Sequence, residues 1–410
     1  MRILYVTGMC GPIINVLKGN TEYEITSLPA FFYPWYKLVK RGHIVDFVIV
    51  SNFNEEYNIK VDWFNKCNVL ANIFDPYSEK QSFLRIIRKA KRFIKLMYYT
   101  QKAIETNHYD FVYCKAYEGL AGNIVANLNN IPCGMRSFGT TLFFDFNKYG
   151  AFITAILRPL EYLSFKLKKD FFIMTDDGTK GDIVYEKWKT KKNNYDFYFW
   201  KTGVKLESIS DLKTDMVLPQ HNYLFFACRI DYWKRHDRIL KVLSELHKKG
   251  FFLHLYFAGS IASNRLYNSL NNMIDLLNLN EFVHFMGPIK QPDLKNYAYH
   301  AIANIQLYDF ALLGNVFYEI FSIGSIVISK RDPSVEEFII DKENGFLVDN
   351  EAQVFSIIEQ ILSKKINIDK IRKNAIITSK NKFLTLDERF DREVLLIENT
   401  INKRSAKVDI

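Results

Sequence analysis

Arg229 and Lys234 lie five positions apart in FACRIDYWKRHDRILKVL, where an apolar strand gives way to a short loop and then directly to a helix. Two cations at this spacing suit a diphosphate, arginine gripping it through its planar fork and lysine acting as a point charge. Charge-assisted contacts of this type contribute about 1.5–3 kcal/mol each. A solvated helix start would also account for Lys234, Arg235 and His236, but cations there oppose the macrodipole and an anion relieves them. A second constellation is QLYDFALLGNVFYEIFSIG, from Gln306 to Gly324. It joins a strand end, a turn at Gly314 and Asn315, and a helix carrying Glu319. Backbone N–H groups at such a helix start meet anions. Glu319, about one turn further in, can accept hydrogen bonds from ribose hydroxyls. A plain strand-to-helix connection with a solvated glutamate is the alternative.

These groups need elements to hold them. From Tyr223 onward, strands are expected at Tyr223–Arg229, Leu253–Gly259, Phe282–Gly287, Ala303–Tyr308, Ser325–Ser329 and Gly345–Val348, with helical patterns between most of them. Regular β-α alternation predicts a doubly wound parallel sheet, whose functional loops follow the carboxyl ends of its strands. The first half reads the same way. Strands are expected at Arg2–Gly8, His43–Ser51, Asp110–Cys114, Cys133–Phe138 and Phe171–Thr175, and Lys205–Gln220 reads as a linker. Gly8 and Gly11 fit close backbone approach after the first strand. No GxGxxG or GxxxxGK[ST] follows it, which disfavours a dinucleotide fingerprint and a P-loop.

Bulk properties agree with two domains. The chain has 410 residues, longer than one core usually supports. Its 48% hydrophobic and 24% charged residues exclude disorder as the main theme, and its 34 Phe and 24 Tyr predict aromatic cores. A formal charge of +10 favours anionic partners. Cys10, Cys67, Cys114, Cys133 and Cys228 are scattered without CxxC spacing, so reduced buried thiols in a cytoplasmic protein are expected. The opening MRILYVTG is a strand, not a signal peptide, and no run reaches the length of a membrane span.

Two segments leave alternatives open. In LRIIRKAKRFIKLMY, helical spacing sets Leu84, Ile87, Ile94 and Tyr98 on one face, with Arg85, Arg88, Lys89, Arg92 and Lys95 largely elsewhere. Such a helix either lies on an anionic membrane surface or docks its apolar stripe on the sheet. LRPLEYLSFKLKK, from Leu157, has the same character. Asp176 and Asp177 in DDGTKGD either serve metal or acid-base chemistry or shape a turn, and the turn is favoured.

FACRIDYWKRHDRILKVL resembles the segment that holds the donor diphosphate in retaining GT-B glycosyltransferases, particularly glycosyltransferase family 4, the group 1 glycosyl transferases. HFMGPIKQPDLKNYAYHA resembles their segment beside the nucleotide base, LLGNVFYEIFSIGSIVIS their glutamate motif, and EEFIIDKENGFLVD the segment that closes the domain. The GMCGPI loop, LVKRGHIVDFVIV and FWKTGV are weaker matches. The resemblance implies an α/β GT-B fold of two doubly wound Rossmann-like domains facing a central cleft. Residues 1–204 would form the acceptor-side domain and 205–382 the nucleotide-sugar domain, with a helix in 383–410 crossing back to the first.

The implied activity is transfer of a hexose or related sugar from a nucleotide diphosphate donor to an acceptor hydroxyl with retention, in bacterial polysaccharide or glycolipid assembly. By resemblance, Arg229, Lys234 and Glu319 carry catalysis and donor binding, joined at the donor by Gly8, Gly11, Gly287, Pro288, Leu313, Gly314 and Asn315. Arg136, Ser137 and Gly139 are acceptor-side candidates. No cofactor and no obligatory metal is expected. The implied partners are the nucleotide sugar, a glycan or glycolipid acceptor and an anionic membrane surface at the inner face, but not nucleic acid. The family's E-x7-E motif is incomplete, because Ala311 occupies its first acidic position. Asp309 is the nearest substitute. A donor-binding protein that has lost transfer is therefore the first alternative, and a basic nucleic-acid-binding module the second.

Overall fold

A computed structural model describes residues 1–8, 11–19, 31–75, 82–115, 117–189, 195–206, 209, 212 and 216–408. Cys10 and much of the expected linker at 205–220 lie outside the described residues. The chain divides into two compact units, Met1–Gly203 with Leu386–Ile410, and Val204–Thr385.

The first unit is built on seven parallel strands: β1 (Arg2–Thr7), β2 (Ile44–Ser51), β3 (Cys67–Phe74), β4 (Phe111–Lys115), β5 (Cys133–Ser137), β6 (Phe171–Asp176) and β7 (Asp196–Lys201). Their order is β3-β2-β1-β4-β5-β6-β7. The central strands β1 and β4 are almost wholly buried, as near-continuous apolar runs in a parallel sheet covered on both faces must be. β3 and β7 were not anticipated. They are the edge strands, and β3 alternates buried Cys67, Ala71 and Ile73 with exposed Asn68, Leu70 and Phe74 and a half-buried Asn72. That dilution of apolar residues hides it from a search for continuous runs.

An aromatic interior fills one face of this sheet. Tyr5, Trp35, Phe47, Phe64, Phe111, Tyr113 and Phe171 share one buried cluster, with Tyr5 and Tyr113 edge to face at 5.5 Å. The helix Leu386–Val408 closes the cluster with Val394, Ile397 and Ile401. On the other face, the helix Ser82–Thr106 turns inward Phe93, Leu96, Met97 and Ala103. Of the two alternatives for the stripe, docking on the sheet is not what the structure shows: Ile94 and Tyr98 are 64% and 60% exposed. The side chain of Leu84 is outside the described residues. Arg92 bonds Asp75 at 3.0 Å and so faces the protein.

The second unit has six parallel strands: β8 (Tyr223–Ala227), β9 (His254–Ala258), β10 (Val283–Gly287), β11 (Ala303–Gln306), β12 (Val327–Lys330) and β13 (Phe346–Val348). All six lie within or beside the expected segments. Their order, β10-β9-β8-β11-β12-β13, reverses direction between β8 and β11, which makes that pair the topological switch point. Helix His236–Lys248 buries Ile239, Leu240, Val242, Leu243 and Leu246 against the sheet. Asn350 and Asn367 cap two later helices by accepting from Gln353 N and Lys370 N at 3.1 and 3.0 Å. No described helix is long and apolar enough to cross a membrane.

Candidate functional site

Ligands of open α/β sheets bind beyond the carboxyl ends of the strands where the order reverses. In the second unit the loops after β8 and β11 meet there. Asp309 N donates to Trp233 O at 2.9 Å, and the rings of Trp233 and Phe310 stack at 4.6 Å. Tyr308 adds a hydroxyl bond to Ala227 O at 3.4 Å.

Arg229 and Lys234 sit differently in this frame. Arg229 follows β8 with its side chain 61% exposed, and its nearest recorded carboxylate, Asp231, is 3.9 Å away. That leaves a guanidinium able to reach an anion in solvent. Lys234 is buried, with Nζ 3.8 Å from the Trp233 ring centroid and 3.6 Å from that of Tyr308. The aromatic faces hold the ammonium in place of water. Asp231 accepts from Tyr232 N at 2.8 Å and so caps the short turn Tyr232–Lys234.

The turn into the next helix requires a left-handed residue, and Arg235 adopts it with φ 56° and ψ 48°. Its guanidinium is held by Asp237 at 2.9 Å and Asp309 at 3.2 Å. His236 follows, fully buried. Burial, reinforced by the Lys234 charge, pushes its imidazole down to about 3. Its Nδ1 has no hydrogen-bond partner among the described residues, and its Nε2 lies 3.6 Å from Cys228 Sγ.

After β11, Leu313 is buried and Gly314 caps the helix Asn315–Ser322 through its backbone alone. A Cβ on Gly314 would meet nothing within 4 Å, so the space before the helix start is open. Ala311 has a positive φ of 54°, a conformation that disfavours a side chain. Asp309, the nearest substitute for the missing carboxylate, is committed elsewhere. Its Oδ1 accepts from Arg235 at 3.2 Å and from Arg238 at 3.0 Å.

The loop after β10 reaches the same end of the sheet. Gly287 has φ 68°, which explains the glycine, and Pro288 is exposed. Gln291 opens the next helix and donates to Glu319 Oε1 at 2.8 Å. Glu319 is half-buried, and Gln291 therefore fixes the carboxylate expected to meet the ribose. Tyr308, Trp233, Gln291 and His236 were not anticipated as site residues. Tyr308, Trp233 and Gln291 meet partners from other strands, so local spacing carries no signal for them. The proline at the start of the Gln291 helix was the one available hint.

The first-unit candidates are more dispersed in role. A Cβ on Gly8 would approach Glu118 Cδ to 2.8 Å, so this glycine lets the loops after β1 and β4 close. Gly11 starts the helix Gly11–Leu17 in the open. Ser137 ends β5. A Cβ on Gly139 would lie 1.9 Å from Asp177 Oδ2, so the glycine makes room for that carboxylate. Asp177 accepts from Thr179 N at 3.1 Å and Oγ1 at 2.6 Å, the turn-shaping role favoured from sequence. Burial raises its carboxyl above the usual range.

Arg136 departs from the acceptor-side expectation. It is fully buried, paired with Glu393 of the C-terminal helix and 3.2 Å from Thr175 Oγ1. Tyr113 and Arg389 also bond Glu393, the latter at 3.1 Å. The guanidinium thus ties the last helix to the sheet and is not presented to an acceptor. A hollow of about 840 Å³, lined by Asn107, Asp110 and Arg404 together with Ile104, Ile131 and Ile401, lies at the amino ends of β4 and β5. That is the end opposite to the Gly8, Ser137 and Gly139 loops.

Residues 215–379 match the family described as Glycosyl transferases group 1. No curated protein sequence matches the chain. The fold is similar to sucrose-phosphate synthase from Thermosynechococcus elongatus, with TM-score 0.72 and 15% identity, covering 99% of this chain and 100% of that one. It is also similar to a glycosyltransferase from Rickettsia africae, with TM-score 0.63, 16% identity and 98% of each chain covered. Anabaena HepE, solved with UDP-glucose, gives TM-score 0.60 and 13% identity, covering 99% of this chain and 100% of that one. The two doubly wound units are those of the GT-B fold.

Proposed function

We propose that this chain, whose second unit carries a group 1 glycosyl transferase domain, moves a hexose or related sugar from a nucleotide diphosphate donor to an acceptor hydroxyl. The observation that carries this reading is the convergence of the loops after β8, β10 and β11 at one switch point. There Arg229, Lys234, the helix start at Gly314 and Asn315, and Glu319 share one end of one sheet. Anabaena HepE, of the same fold, was solved with UDP-glucose, which supports a nucleotide sugar as donor.

In this reading Glu319, steadied by Gln291, accepts from the ribose hydroxyls. As the bond from the sugar to the diphosphate breaks, negative charge grows on the leaving oxygens. Arg229, Lys234 and the N–H groups at Gly314 and Asn315 stabilise that charge from fixed positions. These cations perform the role a divalent ion plays elsewhere, so donor turnover requires no obligatory metal. Retention follows the family resemblance. The acceptor is a glycan or glycolipid, assembled in polysaccharide or glycolipid synthesis at the inner face of a bacterial membrane.

Peripheral membrane contact is supported by the first unit's surface. Phe152 and Ile156 on the helix Leu142–Leu157 are 79% and 65% exposed, and Ile94 is exposed on the basic helix. Apolar side chains of this kind insert at a lipid interface.

A thermal-shift screen of UDP-, GDP-, ADP- and dTDP-sugars tests the reading, because a ligand bound only by the folded state raises the melting point. Protection by one nucleotide class is expected, and protection by none contradicts it. A second reading is favoured by Ala311 and by the pairing of Asp309 with two arginines: donor binding without transfer. It predicts protection with neither hydrolysis nor transfer across an acceptor panel.

A further inference from the structure

Three histidines gather at the opposite end of the second sheet. His221 precedes β8, His254 opens β9 and His284 lies in β10, and these strands are neighbours in the order β10-β9-β8. The register aligns His254 with Tyr223 and His284 with Tyr256. His221 and Tyr223 are two residues apart, as are His254 and Tyr256, so strand alternation sends all three imidazoles to one face. The His221 and His254 rings stack at 3.5 Å. His254 Nδ1 is 2.9 Å from His284 Nε2, and His221 Nε2 is 2.9 Å from Tyr256 Oη. One nitrogen from each histidine lies within 4.8 Å of the other two.

We propose that His221, His254 and His284 bind one divalent ion of the zinc class through three imidazole nitrogens, with a remaining position open to water. Zinc takes imidazole nitrogen at about 2.0–2.1 Å, which puts ligand atoms of a tetrahedral site about 3.3 Å apart. The separations here bracket that value, so side-chain rotations suffice. His221 is exposed and the other two are half-buried, so the cluster is reachable from solvent. A metal takes the neutral imidazole, with its ligating nitrogen free of a proton. On binding, the hydrogen shared between His254 Nδ1 and His284 Nε2 moves to the ring nitrogen that does not ligate. The exchange involves no oxidation and no net loss of protons from neutral rings.

The site is separate from the donor end. The histidines sit at the amino ends of β8–β10, whereas Arg229 and Gly314 follow carboxyl ends, and five-residue strands separate the two by roughly 16 Å. The ion pins the segment entering the second unit to β9 and β10. Its binding stabilises the fold by linkage without joining sugar transfer.

The test uses the full chain, freed of metal by chelator dialysis and titrated with Zn²⁺ by calorimetry and with Co²⁺ by visible absorption. Wild type is compared with His254→Gln, His284→Gln and His221→Ala. The last alters an exposed side chain and preserves the fold if the others do not. Expected are one equivalent per chain, tetrahedral cobalt bands, a rise in melting temperature and roughly tenfold or greater loss of affinity in each variant. Nucleotide-sugar affinity is expected to be the same with and without zinc. Uptake by the His221→Ala chain equal to wild type overturns the proposal, as does absence of a stoichiometric equivalent in wild type.

Discussion

Gln291 Nε2 donates a hydrogen bond to Glu319 Oε1 at 2.8 Å, joining the helix after β10 to the helix after β11. The bond fixes the orientation of a half-buried carboxylate at the switch point. Loss of the charge and loss of the support should therefore have different effects on a bound nucleotide. Glu319→Gln removes the charged acceptor and should weaken nucleotide affinity about tenfold, since charge-assisted hydrogen bonds exceed neutral ones by roughly 1–1.5 kcal/mol. Gln291→Ala leaves the charge and should cost only a few-fold. Equal losses in equilibrium binding would show that the carboxylate does not contact the ligand.

The Arg136–Glu393 pair should matter to stability far more than to acceptor choice. Both side chains are fully buried, and Tyr113 and Arg389 complete the network around Glu393. Glu393→Ala strands two buried cations and should cost about 3–5 kcal/mol in urea denaturation. Arg136→Met with Glu393→Leu should cost less than Glu393→Ala alone. A loss below about 1 kcal/mol for Glu393→Ala would contradict the network.

Lys169 predicts a pH dependence. It is buried beside Tyr195, and desolvation lowers its amine from 10.5 to about 7. Below pH 7 both folded and unfolded chains carry the proton, and the folded chain bears the full desolvation cost. Between about 7 and 10.5 the unfolded chain alone holds the proton, so stability attributable to this site rises with pH. The stability of wild type relative to Lys169→Met should improve by about 1.4 kcal/mol per pH unit in that window. Denaturation at pH 6, 8 and 9 checks this, and a difference independent of pH would refute it.

Membrane contact makes a separable prediction. Phe152→Ser and Ile156→Ser change two exposed side chains and should leave the melting temperature unaltered. Each should lower partitioning onto anionic vesicles about tenfold, the loss expected for one buried apolar side chain. Co-sedimentation that is unchanged in the double variant would place the contact elsewhere or remove it.

The second unit was far more legible in the sequence than the first. Its strands are short apolar runs such as YLFFA, each ending at a Gly or charged loop, so periodicity and punctuation agree. The edge strand β3 escaped because Asn68 and Asn72 interrupt its apolar run, whereas β7 carries an unbroken FYFW and was read only as the lead into the linker. The helix Ser82–Thr106 was recognised over Leu84–Tyr98, with its stripe left open between a membrane surface and the sheet. Phe93, Leu96, Met97 and Ala103 dock, and the more regular Ile87, Ile94 and Tyr98 stripe stays outside.

At the candidate site, sequence spacing singles out groups presented by their own loop and carries no signal for groups fixed by another strand. Arg229, Lys234, Gly314 and Glu319 belong to the first kind. Tyr308 under Lys234, Gln291 against Glu319, and Asp309 between Arg235 and Arg238 belong to the second. Arg136 misled because a polar RSFGTT loop suggests exposure, whereas its counterion arrives 257 residues later. The histidine cluster is likewise assembled from β9, β10 and the segment before β8.

The central claim is that the switch point of the second unit binds a nucleotide diphosphate. Arg229 offers the cleanest probe, since its exposed side chain can be removed without disturbing the aromatic cage around Lys234. Calorimetric titration of wild type and Arg229→Ala with the diphosphate of the protective nucleotide decides it. The predicted result is at least a tenfold loss of affinity at an unchanged melting temperature, about 1.4 kcal/mol or more. Equal affinity in the two proteins would contradict the account.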